Sequence, residues 1–107
     1  MPLYYSFMIK HIVFWRLKDS VDGRSRTDIA SEMKEKFEAM RGVVPGMLAV
    51  EVGIDFGASD DSGHVSLYTE FESREALDAY QVSPEHMAVV PFIRAARTER
   101  RVVDYEV

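Results

Sequence analysis

The chain contains no cysteine. That excludes disulfides, zinc thiolate sites and a cysteine nucleophile, and it argues against a small stapled secreted fold. A basic excess is missing too: 13 Lys and Arg stand against 18 Asp and Glu, a formal charge of −5. Nucleic acid and anionic membrane bind through such an excess, so neither is expected as a main partner. No apolar run approaches the ~20 residues that span a bilayer. The first residues, Met1-Pro2-Leu3-Tyr4-Tyr5-Ser6-Phe7, lack the charged n-region and long h-region of a signal peptide, and the default expectation is a soluble cytoplasmic protein. Repeats, low-complexity stretches, a glycine-rich phosphate loop and a serine–histidine–acid series are all missing.

What is there suits one folded domain. The 107 residues are 47% hydrophobic, enough to hide roughly 65% of the extended chain's surface. Met8 opens the first clear strand, which leaves Met1 and Met8 as alternative starts and residues 1–7 as an N-terminal extension. From Ile9 to Leu17, Ile9, His11, Val13, Trp15 and Leu17 share one face, while Ile12 and Phe14 make the other apolar in its middle. Lys18 to Gly23 reads as a polar loop. From about Arg24 the period turns helical through Ile29, Met33, Phe37, Met40 and Val44, with Gly42 and Pro45-Gly46 as the stop. A second strand covers Met47 to Phe56, with Leu48, Val50, Val52, Ile54 and Phe56 on one apolar face, and a third covers His64 to Phe71. Ser73 caps a short helix from Arg74 to Gln81. Ser83-Pro84 opens another, to about Thr98, which Pro91 should kink or split. Glu99 to Val107 alternates as a last strand.

The order β-α-β-β-α-β is the ferredoxin-like pattern, a four-stranded antiparallel sheet with helices on one face. The first strand's second apolar side then lacks cover, and a second copy of the chain is the economical cover, so a homodimer is expected.

Three histidines titrate nearest neutrality. His11, on an apolar strand face, reads first as a core histidine satisfied by one hydrogen bond, and alternatively as the lining of a pocket between sheet and helices. Val13 and Trp15 share its face; Met33, Phe37 and Met40 on the first helix read first as helix core, and the same face, with Met33 and Phe37, would roof any cavity. His86 stands at a helix start, where the positive helix end favours a neutral ring; it reads equally as a surface residue. His64 reads as a solvated strand-end residue. Tyr80 ends the short helix six residues before His86, and its plain role is to pack its ring with the hydroxyl exposed. Asp55, Asp60 and Asp61 read as a solvated loop, with no metal site assigned. Arg94, Arg97, Arg100 and Arg101 gather at the end of the last helix, where cations complement the dipole; that explanation is preferred to an anion site.

The chain resembles the stress-responsive α/β-barrel (Dabb, dimeric A/B barrel) family over residues 8–107. The marks are Lys10-His11-Ile12-Val13, Pro45-Gly46, Phe71-Glu72-Ser73-Arg74-Glu75-Ala76-Leu77-Asp78-Ala79-Tyr80 followed by Pro84-Glu85-His86, and Asp104-Tyr105-Glu106. The resemblance implies a homodimer whose two sheets close into one barrel. A plant polyketide cyclase of the family is similar over the same motifs and performs a cofactor-free aldol cyclisation. By that resemblance His11, Tyr80 and His86 correspond to its pocket-lining histidine, tyrosine and general-base histidine. That enzyme also uses a first-helix tyrosine, where this chain offers Phe37. The leading expectation is a cofactor-free enzyme or binder of a hydrophobic, carbonyl-containing small molecule. Two rivals stand beside it. A non-catalytic stress or scaffold dimer would tie up both histidines with no cavity beside them. A cofactor-free dimeric-barrel monooxygenase would be hinted at by Trp15 facing the pocket.

Overall fold

The computed structural model describes residues 7–107, so all but Phe7 of the expected extension 1–7 lies outside the described residues. The elements run β1 (Ile9–Leu17), β2 (Ser20–Val21), β3 (Arg24–Ser25), α1 (Arg26–Glu38), β4 (Met47–Ile54), β5 (Val65–Phe71), α2 (Arg74–Gln81), α3 (Pro84–Ala96) and β6 (Arg97–Glu106). Four strands form one antiparallel sheet in the order β4-β5-β1-β6, and the fold is ferredoxin-like. Among the described residues no helix is long and apolar enough to cross a membrane.

The expected polar loop after β1 is in fact a miniature hairpin, β2 against β3. Asp22 and Gly23 at its tip have φ of 50° and 79°, as a two-residue turn of primed type requires. The Ser25 hydroxyl then caps α1 by accepting the Asp28 N–H at 3.1 Å. Ile29, Met33 and Phe37 recur every four residues and are buried against the sheet. α1 ends at Glu38, before the glycine expected to stop it, and Met40 and Val44 continue the core from a run of turns. Gly46, at φ 77°, passes so close to α2 that a Cβ there would meet the Ala76 Cβ at 2.6 Å. The continuous apolar face expected on β4 survives only at Val50 and Val52. A bulge at Met47/Ala49 leaves Leu48 exposed, and the strand ends before Phe56. Pro91 does not divide α3. Pro91 and Met87, whose carbonyl loses its partner, are both exposed, so water can satisfy that group.

The two sheet edges differ. Along β4, the Glu38 carboxylate accepts the Val52 N–H at 3.0 Å, Lys34 donates to the Val52 carbonyl at 2.8 Å, and Arg41 donates to that of Val50 at 2.7 Å. Lys34 and the Val52 N–H also hold the Glu38 carboxyl below its ordinary range. One edge is thus blunted by side chains of the same chain. At the other edge β6 is exposed along nearly its whole length. The sheet face opposite the helices is uncovered as well: Phe14, Val103 and Tyr105 are 46%, 53% and 42% exposed on it.

His64 is no solvated end residue. Its Nδ1 accepts the Leu17 backbone N–H at 2.8 Å, a bond only the neutral ring can make. Burial first, then the charges of Arg26 and Arg16, push its pKa below the ordinary value, against Asp55 and Asp19. The folded state therefore takes up a proton less readily than the unfolded chain. Stability contributed here is full above about pH 6.5 and falls away as pH drops through the lowered folded value. Denaturant midpoints measured down a pH series should fall below that point. His64→Asn, whose side-chain oxygen can replace Nδ1 as acceptor, should flatten part of the decline; an unchanged slope would remove His64 as its cause.

Candidate active site

His11 is delivered by β1, Tyr80 by the last turn of α2, and His86 by the first turn of α3. Ser83 sets the junction. Its hydroxyl accepts the His86 N–H at 3.2 Å, and its N–H and hydroxyl both donate to the Tyr80 carbonyl, at 3.0 and 2.7 Å. One capping serine thereby fixes the helix start and the tyrosine together. The three rings form a row, with centroids 6.3 Å apart for His11–Tyr80 and 4.8 Å for Tyr80–His86, both edge-to-face.

Each histidine is anchored through Nδ1. His11, 3% exposed, meets the Asp104 carboxylate of β6 at 2.5 Å. His86 donates to the Gln81 carbonyl at 2.9 Å; because a carbonyl can only accept, the hydrogen is on Nδ1 and Nε2 carries the free lone pair. Burial is the main force lowering the His86 pKa. The Gln81 bond opposes it, and the charges of His11 and Arg100 add to it. The ring is therefore neutral at pH 7, with burial rather than the helix end as the leading cause. The Tyr80 hydroxyl is buried without a partner among the described residues, and burial drives its pKa well above the tyrosine range. It stays protonated and is a hydrogen-bond donor.

These three residues border a cavity of about 270 Å³, close to the roughly 300–1,000 Å³ of small-molecule sites. Its apolar walls include Val13, Trp15, Phe37 and Leu67. Trp15 stacks on Phe37 at 5.6 Å, and its indole N–H, like the Tyr80 hydroxyl, is buried without a partner. A sequence profile of the stress-responsive A/B barrel domain, Dabb, matches residues 9–107. The chain belongs to that family. No curated protein matches it. Among solved structures, a dimeric protein of ferredoxin-like fold from Bacteroides fragilis is 29% identical, with a TM-score of 0.83 over 94% of this chain and 96% of the other. A dimeric ferredoxin-like protein from Thermobifida fusca is 21% identical, with a TM-score of 0.80 over 98% and 96%. A hydroxynitrile lyase from Passiflora edulis is 19% identical, with a TM-score of 0.77 over 96% and 95%. The last two likenesses concern the fold.

Of the residues expected around a Dabb pocket, His11, Tyr80, His86, Val13, Trp15 and Phe37 come together at the cavity. Met33 does not: it is wholly buried between α1 and the sheet and forms no part of the wall. His11 fits both of its expected readings, satisfied by Asp104 and bordering the cavity. The tyrosine hydroxyl, expected to be exposed, is enclosed. Asp55, expected in a solvated loop, accepts the Ala58 N–H at 2.8 Å, and among the described residues no group of three His, Asp or Glu could hold a metal.

Missing from the expected site were three arginines. Arg94, Arg97 and Arg100 line the cavity beside His86, whereas Arg101 contacts Glu99 at 3.5 Å on the other side of the strand. A bulge explains the split. Leu17 pairs with Arg97 but Arg16 pairs with Glu99, so Thr98 is an extra residue. It lets Arg97 and Arg100, three apart in sequence, reach the same face.

Proposed function

We propose that this Dabb protein works as a soluble, cytoplasmic homodimer that binds a hydrophobic, carbonyl-containing small molecule and abstracts a proton beside its carbonyl, a polyketide-cyclase-like step that side chains alone can run. The observation carrying this reading is the cavity shared by a neutral His86 with Nε2 free and a Tyr80 hydroxyl with no partner. In the step, His86 Nε2 takes the proton from the α-carbon. The C–H electron pair moves onto the carbonyl oxygen, and Tyr80 donates a hydrogen bond to the resulting enolate. His11, held by Asp104, positions the polar end of the substrate. The enolate carbon then attacks a second carbonyl, whose oxygen takes the proton back from His86, or it regains that proton itself. The fold houses a lyase in Passiflora edulis. A purely structural dimer has no use for a cavity between two anchored histidines.

Heavy water gives the test. Phenylacetone or benzoylacetone incubated with the protein should take up deuterium beside the carbonyl faster than in buffer, followed by proton NMR. No acceleration over a panel of such ketones would reject the base mechanism. Trp15 on the cavity wall supports a second reading, in which the same carbanion of an aromatic substrate meets dioxygen. Oxygen uptake by the protein with substrate would select that branch.

A further inference from the structure

Resting on that reading and going beyond it, we infer that the ligand is an anion, an aryl or alkyl keto acid whose carboxylate is held at the cavity mouth by Arg94, Arg97 and Arg100. Arg94 and Arg100 are exposed and Arg97 half-buried, which places the cations at the opening and the apolar walls within. None of the three guanidinium groups has an ion-pair or hydrogen-bond partner among the described residues. Arg16, Arg24, Arg26, Arg74 and Arg101 all contact a carboxylate. No Asp or Glu lines the cavity, although the chain has five more acidic than basic residues. Segregation of this kind raises the local concentration of anions.

The preferred sequence explanation, complementing the helix dipole, reaches Arg94 in the last turn and Arg97 at the cap, but not Arg100 three residues into β6. The bulge that brings Arg97 and Arg100 to one face is what a paired anion clamp needs, since each planar guanidinium can grip a carboxylate through two N–H groups. The unpartnered groups point the same way. The Trp15 N–H can only donate and the protonated Tyr80 hydroxyl has its hydrogen unused; both are buried without a partner on residues that border the cavity, and a ligand rich in acceptors is what would satisfy them. Arg100 is also near enough for its charge to bear on both Tyr80 and His86.

Trp15 is the only tryptophan, so its emission reports on the cavity directly. The probes are β-benzoylpropionate, its methyl ester and butyrophenone. The acid should bind roughly tenfold or more tightly than the ester, the worth of hydrogen bonds to a charged group. Arg97→Gln and Arg100→Gln should each remove most of that preference while leaving the ester's affinity unchanged, and Arg97→Lys should keep part of it. In the unaltered protein, added salt should weaken the acid and spare the ester, which tests the point without any variant. Equal binding of acid and ester would overturn the anion inference and leave the cavity reading standing. No response of Trp15 to any of the three would overturn both.

Discussion

Replacing His86 by glutamine should slow proton abstraction by ~10²- to 10⁴-fold, the usual worth of a positioned general base, with the fold intact because the ring is only half-buried. Tyr80→Phe should also slow it, by ~10²- to 10³-fold if the hydroxyl is the main donor to the enolate oxygen. The two variants should differ in stability. The Tyr80 hydroxyl is buried with no partner among the described residues, so removing it relieves a desolvation cost of about 1 kcal/mol or more. Tyr80→Phe should therefore melt a few degrees higher, by about 4–8 °C per kcal/mol in a domain this small, while losing activity. A variant that loses both rate and melting temperature would mean that the hydroxyl has a structural partner and no chemical role. The pH profile follows from the direction of the His86 shift. A base whose pKa lies below the ordinary histidine value stays unprotonated as pH falls through about 6.5, so the rate should hold there and decline only further into acid. A decline already complete by pH 7 would assign the base elsewhere.

How much of this was legible in the sequence depends on the reach of each interaction. Strand β1 could be read residue by residue because Ile9, Val13, Trp15 and Leu17 alternate with partly exposed neighbours, and α2 because Ser73 caps it in place. Both signals are local. Helix α1 closed earlier than its glycine because Met40 and Val44 stay buried without helical geometry, so burial periodicity overran the hydrogen-bonded helix. At the site, the histidines and the tyrosine could be picked out as titratable or amphipathic groups on apolar elements. The His11–Asp104 pair could not, since its members are 93 residues apart and meet only through the β1–β6 register. Arg97 and Arg100 were hidden for a sharper reason. Strand alternation puts residues three apart on opposite faces, and only the extra Thr98 brings them together. Met33 takes its core reading and not the roof of the cavity, because a helical stripe says which side faces inward and not at what height a cavity opens along it.

The same alternation leads to the last expected result, that a charge on the bare sheet face breaks the proposed homodimer. Phe14 and Val103 lie on the side away from the helices, where Ile12 pairs with Val103 and Lys10 with Tyr105 across β1 and β6. A face with Phe14, Val103 and Tyr105 each about half exposed, beside the open outer edge of β6, is far more apolar than an isolated sheet surface needs to be. The dimeric Bacteroides fragilis protein shares this fold over 94% of the chain. In a two-fold assembly the same patch meets itself, so one substitution is felt twice. Phe14→Glu would place two carboxylates in an apolar contact, and an uncompensated buried charge costs several kcal/mol. Light scattering should give twice the chain mass for the parent protein and the single chain mass for Phe14→Glu and for Val103→Glu. Melting temperature should fall with the mass, because β6 would then keep only β1 as support. Glu35→Lys, exposed on α1 on the helix side of the sheet, should change neither. A parent protein of single chain mass would mean that this apolar face stays open to water.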